Sequence, residues 1–201
     1  MKKRKIKRKK EKKRELQELL GLKKNNLPLF VVLERNSQIE KILEGFLDLP
    51  LQIAIFSRKK ITKKINKAAQ ENKNVSFCNY LEKNLSEESI IAAANSIIIF
   101  DEEEKQINLA RIHKTVPIIS SKSSFSDYNP KEETGNAFLY ESGSTWSLFT
   151  SIVRAVETYK LPYDWHGIVR DADALDQIDR ENKKETFISP FSKIFCPKLK
   201  S

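Results

Sequence analysis

The sequence predicts an α/β protein: a Rossmann-like parallel sheet with helices on both faces, preceded by a basic N-terminal arm. Three observations predict it. The apolar runs at residues 29–33, 51–57, 75–78, 97–100 and 116–119 are nearly uninterrupted, as in strands buried on both faces, rather than alternating. The segments between them carry apolar residues at the 3.6-residue period of helices packed on a sheet. Strand and helix segments also follow one another as β-α-β-α-β-α-β-α-β-β-α, the order that winds a parallel sheet.

Taken in order, residues 11–20 (EKKRELQELL) place Leu16, Leu19 and Leu20 at helical spacing. They end at Gly21, a residue suited to a helix C-cap, so the arm is expected to run into a short helix. Asn25, Asn26 and Pro28 break the chain before the first strand, LFVVL at 29–33. Ser37 and Glu40 have the spacing of a capping box, and Ile39, Ile42, Leu43, Phe46 and Leu47 form one apolar face. The run LQIAIFS at 51–57 is the second strand, and a basic helix over 58–71 follows with Ile61, Ile65 and Ala68 on one stripe. A short strand at 75–78 precedes a helix opened by Ser86, Glu87 and Glu88. The strand at 97–100 leads to a polar helix around 103–113 and a strand at 116–119. A last strand is expected at 137–140. The final helix, over 144–159, is expected to turn Trp146, Phe149, Ile152, Val153 and Val156 inward.

With 201 residues and 39% apolar side chains, one domain and an appendage are expected. Of 37 basic and 27 acidic residues, eleven basic and one acidic fall in residues 1–14, leaving 26 of each sign beyond them. The formal charge of +10 therefore belongs to the arm, and the globular part has no overall pull toward nucleic acid or anionic membrane. The expected divisions are a basic arm at 1–14, the domain at 15–175 and an irregular tail at 176–201. Cys78 and Cys196 are far apart with no CxxC spacing, which points to a reducing compartment and to neither a disulfide framework nor a zinc site. Without an apolar stretch of signal-peptide or membrane-spanning length, the expectation is a soluble cytoplasmic protein. His113 and His166 read as ordinary surface or boundary residues, and Trp146 and Trp165 as packing residues. The five glycines, at 21, 45, 135, 143 and 167, assemble no glycine-rich phosphate loop.

Three stretches, in order and at near-matching spacing, resemble the C-terminal, nucleotide-sugar-binding domain of bacterial glycogen synthase and plant starch synthase. They are EKKRELQELLGLKKNNLPLFVVLERNSQ at 11–38, TVPIIS with DYNPKEETGNAFLYE between 115 and 141, and STWSLFTSIVRAVETYKLPYDWHGIVRDA at 144–172. The resemblance implies half of a glycosyltransferase of the two-Rossmann-domain (GT-B) type, which transfers glucose from ADP-glucose or UDP-glucose to an α-glucan with retention and without a metal or cofactor. The acceptor-binding half is expected to be encoded separately.

The resemblance also implies a set of site residues. Lys13 matches a family lysine at the donor phosphate. Arg35 stands one place from the family's arginine after the first strand, where a QKG tripeptide is lacking. Asp101, Glu102 and Glu103 occupy the region of the family glutamate that touches the donor sugar, and Lys122, Ser123 and Ser124 replace the Arg-x-Gly-Gly loop at the leaving group. Ser57, Arg58 and Lys59 stand where the family has Gly-Ser-Gly, so side chains occupy the positions at which glycine lets backbone N–H groups approach phosphate. The implied function is a glycogen or starch synthase-like domain that is incomplete or degenerate in isolation. The alternative is a non-catalytic, nucleic-acid- or ribosome-associated protein bound through residues 1–14, whose lysine density would give salt-dependent, sequence-independent binding.

Overall fold

A computed structural model describes residues 2–33, 37–57, 62–79, 84–100, 103–121 and 125–172, with side chains from Lys9 on. Six parallel strands form one open sheet in the order β3-β2-β1-β4-β5-β6. They are β1 (Leu29–Leu33), β2 (Gln52–Phe56), β3 (Val75–Cys78), β4 (Ser96–Ile98), β5 (Val116–Ser120) and β6 (Phe138–Tyr140). The helices are α1 (Lys2–Leu19), α2 (Ser37–Leu47), α3 (Lys63–Glu71), α4 (Glu87–Ala93), α5 (Glu104–Ile112) and α6 (Thr145–Tyr159), with a seventh, α7, over residues 162–172. The expected fold class and element order are both present.

Strand parity divides the core. Phe30 and Val32 of β1, with Ile53 and Ile55 of β2, point to the face covered by α2, α3, α6 and α7. Leu29, Val31 and Leu33, with Ala54 and Phe56, point to the face covered by α1, α4 and α5. Since both faces are covered, every residue of β1 and β2 is buried, which is why these strands read as continuous apolar runs. Phe30, Phe56 and Phe138 are fully buried, each stabilising the fold by roughly 2–3 kcal/mol through area removed from water.

Several expectations need correction. The first helix does not begin near Glu11 but runs unbroken from Lys2 to Leu19. Leu19 is 43% exposed, and the face of α1 that packs inward is carried by Lys13, Leu16 and Gln17, with Lys9 and Leu20 half-buried at its ends. The C-cap at Gly21 is present: its φ is +68°, its N–H donates to the Glu18 carbonyl, and the Leu22 N–H reaches back to the Gln17 carbonyl. Trp146, expected inward, is 77% exposed. The buried stripe of α6 is Leu148, Ser151, Ile152, Ala155 and Val156. A residue two places before Leu148 lies about 200° around the helix, on the far side. Ser151 joins that stripe because its hydroxyl donates to the Leu139 carbonyl at 2.6 Å. Strand β4 spans Ser96–Ile98 rather than 97–100, and α3 is helical from Lys63. Residues 58–61, Cys196 and the expected tail at 176–201 lie outside the described residues.

Candidate functional site

Because all strands are parallel, their carboxyl ends share one edge of the sheet and their amino ends the other. From β1 the chain winds outward to β2 and β3, and from β4 in the opposite direction to β5 and β6. The direction switches between β1 and β4, and the crevice beyond the carboxyl ends at such a switch is where open α/β sheets take ligands. Helices α2 to α6 present their amino ends toward this edge, with side-chain caps from Thr62, Ser86 and Ser144 on α3, α4 and α6. Their dipoles favour an anion there.

Arg35 lies in sequence between Leu33, which ends β1, and Ser37, which begins α2. Asp101 and Glu102 lie between Phe100 and Glu103, after β4, and Lys122, Ser123 and Ser124 between Ser121 and Phe125, after β5. These six are outside the described residues. Leu33, Ser37, Phe100, Glu103 and Ser121, which bracket them, stand at the carboxyl edge, and the first two brackets flank the switch, whereas Phe125 lies against Arg111 in the last turn of α5, away from that edge. Glu103 is described: it is exposed at the start of α5, makes no side-chain cap bond, and accepts from the Gln106 amide at 2.7 Å. Glu104 in the first turn adds a second carboxylate at the helix's positive end. Two backbone donors at this edge are already used: the Ser57 N–H donates to the Cys78 carbonyl at 3.1 Å, and the Ser121 N–H to the Tyr140 carbonyl at 2.7 Å.

Lys13 is not brought to this edge. Its ammonium donates to the carbonyl of Leu27, which precedes β1, and stands 5.8 Å from the centre of the Tyr159 ring. It therefore belongs to the amino edge, at the opposite end of the strands from Glu103. Lys9 is at the amino edge too, donating to the carbonyls of His113 and Lys114 at 2.8 Å each and to the Thr115 hydroxyl at 3.0 Å. These groups follow α5, so the ammonium meets the negative end of that helix. Burial, with Lys12 and Lys114 close by, nevertheless lowers its pKa to about 7; burial and Lys10 lower that of Lys13 to about 8.

Residues 125–140, which carry part of the family resemblance, are held by contacts that residue-by-residue reasoning did not single out. Arg154 of α6 pairs with the Asp127 carboxylate at 3.0 Å and donates to the Tyr128 carbonyl at 2.7 Å, its guanidinium lying over Phe138. Asp127 also accepts from the Leu139 N–H at 2.9 Å, tying this loop to β6. Gly135 has φ +112°, and a Cβ there would meet the Asp127 carbonyl oxygen at 2.4 Å. Asp127, Gly135 and Arg154 thus keep the fold. His113 pairs with Glu88 at 3.1 Å and His166 with the Pro162 carbonyl. Among the described residues no group of three or more His, Cys, Asp or Glu could hold a metal ion, and no helix is long and apolar enough to cross a membrane.

A two-way wound parallel sheet with helix amino ends gathered at its switch point defines a Rossmann-like α/β domain. Among characterised proteins the chain is similar to the glycogen synthase of Fervidobacterium nodosum, with 24% identity over 196 residues. That match covers 90% of this chain and 40% of the enzyme, so the chain spans well under half the length of its relative. The similarity supports a distant, glycosyltransferase-like relation. No protein-family model matches the chain.

Proposed function

We propose that this chain is the nucleotide-sugar-binding half of a GT-B glycosyltransferase related to the C-terminal domain of glycogen and starch synthases, taking ADP-glucose or UDP-glucose at the carboxyl edge of its sheet. One observation carries the reading. The switch point falls between β1 and β4, the two strands after which Arg35 and Asp101–Glu103 follow in sequence. In this reading Arg35, aided by Lys122, Ser123 and Ser124, offsets the charge of the diphosphate leaving group, and a carboxylate from Asp101, Glu102 or Glu103 accepts from the sugar hydroxyls. Lys13, at the opposite edge, has no part in the donor site.

The isolated chain is proposed to be catalytically silent. Retaining transfer requires donor and acceptor aligned in one cleft, and the α-glucan would be held by an acceptor-binding half that these residues do not supply. The Ser57 and Ser121 N–H groups, used within the sheet, leave less backbone to grip phosphate than a glycine loop offers. Calorimetric and thermal-shift titration with ADP, UDP, ADP-glucose and UDP-glucose tests the donor site. Saturable stabilisation by one nucleotide sugar, weakened about tenfold or more by Arg35→Ala, is expected. Absence of a response to all four would overturn the reading.

A further inference from the structure

The amino edge carries a cavity of about 680 Å³. Five basic residues of α1 line it, namely Lys9, Lys10, Lys12, Lys13 and Arg14, and Lys114 from the turn before β5 faces them. No Asp or Glu is among its lining residues. His113 and His166 also line it, and Tyr159 and Trp165 supply an aromatic floor.

Gathering six basic side chains around one half-open cavity with no acidic residue in its lining opposes folding, because like charges brought together repel. The α1 backbone does not force the arrangement, since a lysine run places cations on every side of a helix. What turns these toward the cavity is the docking of Leu16 and Gln17 into the core, with Gln17 donating to Gln52 at 2.7 Å. Lys9 and Lys13 spend their donors on backbone carbonyls and are held in place, whereas Lys10, Lys12 and Arg14 are exposed and keep the reach to close on a ligand.

We propose that this cavity binds a small polyphosphate, either a nucleoside di- or triphosphate or a free inorganic chain, as a site separate from the carboxyl edge. Its volume lies within the few-hundred to thousand Å³ range of small-molecule pockets, whereas a single phosphate would leave most of it unfilled. A chain of linked phosphates supplies several negative charges along one molecule, which suits cations spread along two turns of α1. Tyr159 and Trp165 at its floor offer aromatic surface beside which a nucleobase can lie. The site goes beyond the donor reading and does not depend on it, because the residues assigned to the donor site line none of this cavity except Lys13, which that reading now excludes.

The sequence contains two tryptophans, so the Trp146→Phe protein isolates the emission of Trp165. Titrating this full-length protein with inorganic tripolyphosphate and with ATP, by fluorescence and calorimetry, is expected to give saturable binding of one molecule per chain with a change in Trp165 emission. Lys12→Glu, and separately Arg14→Glu, should weaken binding by about tenfold or more, while Lys131→Glu, the same charge change at an exposed residue outside the cavity, should stay within about twofold. Tighter binding of ATP than of tripolyphosphate would assign the site to a nucleotide, and equal or weaker binding to a free phosphate chain. Failure of both ligands to saturate, or equal weakening by Lys12→Glu and Lys131→Glu, would overturn the proposal while leaving the donor site to its own test.

Discussion

Two glycines separate the cost of backbone conformation from the cost of space. Gly21 and Gly135 both have positive φ, at +68° and +112°, yet a Cβ on Gly21 would meet nothing within 4 Å while one on Gly135 would collide with the Asp127 and Tyr128 backbone. Gly21→Ala should therefore lose about 1 kcal/mol, the strain of a left-handed alanine alone. Gly135→Ala should lose about 3 kcal/mol or more, since two backbone segments joined through the Arg154 and Asp127 contacts must also move apart. Urea unfolding of the two variants checks the order, and equal losses would mean that the loop around Gly135 yields easily. The cap at Gly21 was legible because a glycine ending an apolar helical pattern has one usual reason to be there. The need for Gly135 was not, because the atoms it avoids lie seven and eight residues earlier and are brought over it only by the fold.

At the level of the element, α1 behaves unlike its composition. A lysine-rich run reads as a solvated arm, yet Lys9 and Lys13 of this helix are turned against the amino edge of the sheet. The consequence for pH is signed. In the unfolded chain Lys9 holds its proton up to its ordinary value of 10.5, while in the folded protein it releases it near 7. Between those values the unfolded state binds more protons, so the contribution of Lys9 to stability rises as pH increases from about 7 to about 10.5, and below 7 its penalty is constant and complete. The stability difference between wild type and Lys9→Met should thus shift in favour of wild type across that window, as measured by chemical denaturation at several pH values. A difference independent of pH would mean that the carbonyls after α5 hold the ammonium charged. Periodicity had selected Leu16, Leu19 and Leu20 as the inward face, because hydropathy ranks leucine above lysine and glutamine. Packing chose Lys13, Leu16 and Gln17 since Gln52 offers Gln17 a buried partner and the carbonyl of Leu27 offers one to Lys13.

For the molecule as a whole, the parallel sheet keeps two edges apart by the length of its strands, and the two proposed sites fall one on each. They share no side chain, so saturating tripolyphosphate should leave the affinity for the favoured nucleotide sugar unchanged within about twofold, and Lys12→Glu should do the same. Mutual exclusion in a competition titration would instead place both ligands in one site. The resemblance to glycogen synthase spans both edges. The match at residues 125–141 and at Arg154 is explained by loop-to-helix contacts that any member of the fold needs, so similarity there speaks for architecture more than for chemistry.

The sequence by itself determined the sheet: continuous apolar runs can be buried only between two helical layers, and five of the six strands were visible as such runs, with the sixth at AFLY. It also determined that Arg35, Asp101 to Glu103 and Lys122 to Ser124 follow β1, β4 and β5, since strand order along the chain settles which loops leave the carboxyl ends. Tertiary structure alone decided where the charge of residues 9–14 is spent, that Lys13 and Glu103 stand at opposite edges, and that Trp146 faces outward while Trp165 lies under the cavity. The physical reason is the same in each case. A helix carries side chains on every side, and which side turns inward is set by partners distant in sequence, such as Gln52 for Gln17 and Leu139 for Ser151, whose positions exist only once the sheet has formed.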